Sequence, residues 1–146
     1  MEAVLLVHLA ATVFMVGLIW FVQIVHYPLF GLVGRDGFAR YSAAHSRLTG
    51  FVVGPPMLVE AATAVALAVS PPQGVSFFPP LFGLALLAVV WISTAFLQSP
   101  QHGVLGGGFV PGSHRFLVRS NWIRTVCWTG RGLLVLWMTA GAMSGA

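Results

Sequence analysis

Lysine is missing altogether: all seven cations are arginine, at positions 35, 40, 47, 115, 119, 124 and 131. Acids are almost as scarce, with only Glu2, Asp36 and Glu60. Charged residues make up 7% of the 146-residue chain, against roughly 25% in soluble domains. So few charges cannot cover a water-soluble domain of this size, which excludes the ordinary soluble class. One cysteine, Cys127, excludes an internal disulfide. The net charge is only +4 and no basic patch is interleaved with aromatics, so no nucleic-acid partner is expected. The glycine-rich stretch SPQHGVLGGGFVPG (residues 99–112) has no lysine and no GK[ST] after it, which excludes a phosphate loop. The first apolar run starts almost at Met1, lacks a basic flank and is too long for a signal core, so no cleavable signal is expected.

What the chain does have is apolar length, with 58% of its residues hydrophobic. A membrane span needs about 20 mostly apolar residues. Four stretches qualify, at approximately residues 3–27, 48–69, 80–98 and 114–142. Pro28, Gly31 and Gly34 are expected to end the first. The segment 37–47 is compatible with an extension of the second, which Pro55 and Pro56 are expected to kink. Pro79 and Pro80 suit the first turn of the third. Residues 99–112 are expected to form a glycine-rich loop. Arg35, Arg40 and Arg47 fall in the first connection; Arg115, Arg119 and Arg124 fall in the third connection and the start of the fourth span. The positive-inside rule then puts both connections in the cytoplasm and both termini outside. The predicted fold class is all-α: a single transmembrane domain over residues 1–146, a four-helix bundle in the bacterial inner (plasma) membrane.

Polar residues inside spans face the bundle interior or a cavity. On the fourth helix Asn121, Arg124, Trp128 and Arg131 recur at steps of three, four and three, which share one face. Arg131 falls at mid-membrane and needs a partner. The only acid within a span is Glu60, at matching depth on the second helix, so a Glu60–Arg131 ion pair is predicted. His8, Thr12, Ile19, Gln23 and His26 form a stripe on the first helix. Gln23, His26, His45, Gln98, His102, Asn121 and Arg124 should then converge in the cytoplasmic half, from four helices. His114, in a connection beside Arg115, is expected to be structural.

Three chemistries suit such a set. Three imidazoles, His26, His45 and His102, are candidate ligands for a transition metal, although no tight HxxxH or HExxH spacing occurs. A haem would take His26 with His102 or His45 as axial ligands, and Arg124 or Arg47 would pair with its propionates. A quinone or similar flat lipophile would use Trp91, Trp122 and Trp128 as walls, with His, Gln or Arg bonding its carbonyls. Serine-histidine-acid hydrolysis has no acid near a histidine except Asp36 on a connection. Transport is disfavoured, because paired broken helices are expected and only the second span is broken by prolines.

VHLAATVFMVGLIWFVQIVHYPLF resembles the first helix of small bacterial membrane proteins of the HemJ and CopD type, through His8, Gly17, Trp20, Gln23 and Tyr27. Gln23 stands where an arginine is usual. NWIRTVCWTGR (residues 121–131) resembles the closing helix of the anthrone-oxygenase-like membrane family, with Asn and Arg near its cytoplasmic start. Taken whole, the chain looks like a bacterial four-span membrane family. These resemblances imply redox or cofactor chemistry and, for the HemJ type, a porphyrin site. The expected function is therefore a small membrane redox or cofactor-binding protein, with its site around His26, His45, His102, Arg124, Gln23, Asn121 and Trp128. The alternative is a non-catalytic accessory subunit of a larger respiratory or photosynthetic complex. The expected partners are the lipid bilayer and either a second copy or such a complex.

Overall fold

The computed structural model describes residues 1–144. Four helices, joined by short turns, account for nearly all of them, and no strand occurs among the described residues. Helix α1 spans Glu2–Leu32, α2 Arg35–Val69 and α3 Phe78–Gly106; these three are long and apolar enough to cross a membrane. Helix α4, Pro111–Ser144, is as long but is not among them. The reason is its polar load: Asn121, Arg124, Thr125 and Arg131 lie on it, and all four are buried. The helices pack in a closed ring, α1 on α2, α2 on α3, α3 on α4 and α4 on α1.

The helices outrun the apolar segments that predict them. α1 continues through Pro28 and ends in a tight turn at Phe30–Leu32. α2 starts at Arg35, with Asp36 in its first turn, where the helix dipole favours an acid. It runs unbroken through Pro55 and Pro56. The expected loop at 99–112 is mostly helix, since Ser99–Gly106 continues α3. Gly107–Val110 alone makes the connection. Pro79 and Pro80 do open α3.

Two widened π-helical turns interrupt the regular winding, at Val22–His26 in α1 and Thr94–Gln98 in α3. Each ends two residues before a proline, Pro28 and Pro100 respectively. Proline brings no backbone donor and crowds the preceding turn, so the bulge absorbs a misfit that would otherwise kink the helix. π-bulges recur at functional sites, and these two carry Gln23, His26 and Gln98.

Polarity is distributed inside out. Phe14, Phe21, Phe51, Phe82, Phe96 and Trp137 face outward, along with many aliphatic side chains. The interior holds two apolar clusters. One contains Met15, Val22, Phe30, Phe38, Leu117 and Trp128. The other contains Leu5, Leu67, Val135 and Met138. A buried polar layer around Glu60 and Arg131 separates them. Close helix approach depends on glycine: a β-carbon on Gly132 would lie 3.0 Å from Val16 Cγ2, and one on Gly83 would lie 3.3 Å from Leu134 Cδ2. Gly74 turns the chain between α2 and α3 at φ 77°, with a β-carbon position 3.2 Å from the Gly141 carbonyl, and so has two reasons to be glycine.

Candidate functional site

Of the seven arginines, five lie exposed on the chain and two are buried, Arg124 and Arg131. Those two organise separate polar centres on α4. The predicted Glu60–Arg131 pair is present: Arg131 Nη2 lies 3.1 Å from Glu60 Oε1, and both side chains are fully buried. Thr12 Oγ1 donates to Glu60 Oε1 at 2.8 Å, and Trp128 Nε1 donates to Oε2 at 2.9 Å. The guanidinium also donates to the Gly83 carbonyl and approaches His8 Nε2 at 3.4 Å. His8 Nδ1 is tied to Thr63 Oγ1 at 2.7 Å. One carboxylate on α2 thus holds groups from α1 and α4, while Arg131 reaches α3. This packed network has the character of a four-helix clasp.

The second centre forms around Arg124. Gln23 Oε1 accepts from Asn121 Nδ2 at 2.8 Å, and Gln23 Nε2 donates to the Val118 carbonyl at 3.2 Å. Asn121 Oδ1 accepts from Arg124 Nε at 2.9 Å and from Nη2. Arg124 Nη1 donates to Thr94 Oγ1 at 3.3 Å, and Nη2 to the Tyr27 hydroxyl at 3.2 Å. Every one of these acceptors is neutral. Arg124 has no carboxylate partner among the described residues, and Glu60–Arg131 is the one ion pair there.

Tyr27 links this cation to the histidines, since its hydroxyl lies 3.0 Å from His102 Nε2. His26 Nε2 lies 2.7 Å from His45 Nδ1, which Thr49 Oγ1 approaches at 3.1 Å. The rings of His45 and His102 have centroids 5.3 Å apart. The three imidazoles therefore converge, and no group of three His, Cys, Asp or Glu among the described residues is arranged to hold an ion. Two nitrogens bound tetrahedrally to one zinc at about 2.0–2.1 Å stand ~3.4 Å apart. A spacing of 2.7 Å is a hydrogen bond instead, and leaves no room for iron between His26 and His45 as haem axial ligands.

A cavity of about 550 Å³ opens beside these groups, within the range of about 300–1,000 Å³ typical of small-molecule pockets. Its walls are Met15, Leu18, Ile19, Val22, Val53 and Met57, with one face of Trp128. Its polar end holds Tyr27, His45, Gln98, His102 and Arg124. His102 Nδ1 is buried there without a partner. Of the three tryptophans expected to form walls, only Trp128 does. Trp91 and Trp122 face outward, and Trp122 stacks edge-on against Trp20 at 5.6 Å. Gln23 and Asn121 lie behind Arg124 and fix its orientation rather than line the cavity. His114 is structural: it bonds the Tyr27 carbonyl at 2.8 Å and stacks on Phe30.

Sequence reasoning missed Tyr27 as a site residue. Its position four after Gln23 was the available signal, one turn further along the same stripe. No family model, curated protein or solved structure matches the chain.

Proposed function

We propose that the chain is a four-span protein of the bacterial plasma membrane that binds one lipid-soluble, carbonyl-bearing molecule of the quinone type in the cavity beside Arg124. The observation that carries this is a buried guanidinium with no counter-ion among the described residues, at the polar end of an otherwise apolar cavity. A cation away from water needs acceptors, and a ligand oxygen would complete the set that Asn121, Thr94 and Tyr27 begin. Membrane insertion is supported by the outward-facing apolar side chains and the buried polar ones. The exposed arginines cluster at one end of the bundle, which favours cytoplasmic first and third connections and outer termini.

In this role Arg124 and the Tyr27 hydroxyl bind the ligand oxygen, while Trp128, Met15 and Met57 flank its ring. The Tyr27–His102 pair holds a proton beside that oxygen. His45 and half-buried His26 extend towards the cytoplasmic end and would exchange that proton with water. Quinone reduction consumes protons, so such a route suits redox use of the ligand. The likeness of α1 to the HemJ and CopD type points the same way. The imidazoles as arranged do not fit a haem held between His26 and His45.

The test is a titration of the protein in lipid nanodiscs with a ubiquinone-type quinone, followed by tryptophan quenching. Saturable binding at one per chain is expected. An arginine hydrogen bond to a ligand oxygen contributes about 1.5–3 kcal/mol, so Arg124→Gln should weaken binding roughly 10- to 150-fold. Absence of saturable quenching, or a purified protein with a Soret band and stoichiometric iron, would overturn the proposal. So would a ligand-free chain that purifies only inside a larger complex, the behaviour of an accessory subunit.

A further inference from the structure

The cavity has a mouth, and its position says how a ligand reaches the site. Ala43, Ser46 and Gly50 on α2 line the cavity and are also exposed. Ser99, Gly103 and Gly106 on α3 do the same. Their spacings, three and four on α2 and four and three on α3, each trace one helix face. Two neighbouring helix faces that are at once cavity wall and outer surface define an opening between α2 and α3, and all six residues are small.

The glycines at this opening are not required by packing or by the backbone. A β-carbon added at Gly50, Gly103 or Gly106 would meet nothing within 4 Å. None of the three has positive φ, unlike Gly74 and Gly108. They differ in this from Gly83 and Gly132, whose missing side chains let helices touch. What the missing side chains leave at positions 50, 103 and 106 is open space. Phe51, Phe96 and Val104 stand exposed on the same two helices, beside the polar Ser46, Arg47 and Ser99.

The other approach, along the bundle axis from the cytoplasmic end, is plugged. Phe30 and Phe38 are fully buried there. Phe38 packs edge-on against Phe109 at 5.0 Å, and His114 stacks on Phe30. A ligand arriving along the axis would have to displace this aromatic cluster, whereas one arriving between α2 and α3 meets an open slot.

Resting on the quinone-type reading above, we infer that the ligand carries a long apolar tail, enters sideways between α2 and α3 at the cytoplasmic edge of the bilayer past Gly103 and Gly106, and leaves its tail running past Gly50 into lipid. The cavity holds the ring; the tail stays in lipid.

The experiment compares two probes in nanodiscs: a polyisoprenoid quinone and the same quinone ring with no tail. Gly103→Leu and Gly106→Leu fill the slot from α3. Each should raise the Kd of the long-tailed quinone at least tenfold more than that of the tail-free one. Should a leucine variant unfold, the double variant Gly103→Ala, Gly106→Ala narrows the slot without a clash and should shift the same ratio in the same direction. An equal change for both probes, or none, overturns the sideways route and leaves the head-group site standing. A wild-type protein that prefers the tail-free quinone overturns the route as well. A wild-type protein that binds neither probe overturns both the route and the quinone-type reading.

Discussion

Glu60→Leu should be among the most damaging single changes in the chain. It strands the fully buried Arg131 guanidinium, whose Nε already lacks a partner. It also removes the acceptor of Thr12 and of the Trp128 indole. Removing one partner of a buried ion pair costs about 3–5 kcal/mol, and each interhelical hydrogen bond lost in a bilayer adds roughly 0.6 kcal/mol. The sum, about 4–6 kcal/mol, is comparable to the whole stability of many domains. Glu60→Gln keeps one acceptor oxygen and should fall between wild type and leucine. The double variant Glu60→Leu, Arg131→Met removes the stranded charge and should recover part of the loss. The resulting coupling energy is on the order of 3 kcal/mol. Equilibrium unfolding in mixed detergent micelles reads the wild type, these three variants and the single Arg131→Met that closes the cycle. A Glu60→Leu loss below about 1 kcal/mol, or additive single effects, would show that the clasp is not what ties the helices.

Other expectations concern packing and orientation. Gly132→Ala places a β-carbon 3.0 Å from Val16 Cγ2 and should cost about 1–3 kcal/mol by overpacking. Gly17→Ala, on an open helix face, should be neutral or slightly stabilising; similar unfolding midpoints for the two would contradict the α1–α4 contact. His114→Ala removes one of two donors to the Tyr27 carbonyl, which keeps the Phe30 N–H, and should lower stability by about 0.5–1.5 kcal/mol. Its quinone affinity should stay near wild type when measured on folded protein, and selective loss of affinity would give His114 a role in the site. Reporter fusions in the first and third connections should read as cytoplasmic and fusions at either terminus as external; a mixed pattern would refute the four-span topology.

Three of the helices were legible because each contains a long apolar run, which α4 lacks, and Glu60–Arg131 because only one acid lay at the right depth. Helix ends were legible only in part. The extension of α2 over 37–47 could be read from its helix-compatible sequence, whereas residues 99–106 are too glycine-rich to signal a span, yet they wind on as helix once the bundle orders them. The π turns before Pro28 and Pro100 were equally hidden, since their need arises from backbone donors rather than side-chain pattern. Helical spacing placed His26, His45 and His102 in one region but not their ring orientations, which make His26 and His45 hydrogen-bond partners rather than co-ligands. The same limit applies to tryptophan: Trp128 shares the buried face with Arg124 and Arg131, while Trp91 and Trp122 lie on outer faces that hydropathy alone does not distinguish.

Whether the cavity beside Arg124 holds a quinone-type lipid can be read directly by native mass spectrometry of protein extracted together with its surrounding lipid. The wild-type chain should carry one quinone, and Arg124→Gln, folded to the same extent, should have lost it. A wild-type chain without a bound quinone, or an Arg124→Gln chain that retains one, would contradict the account.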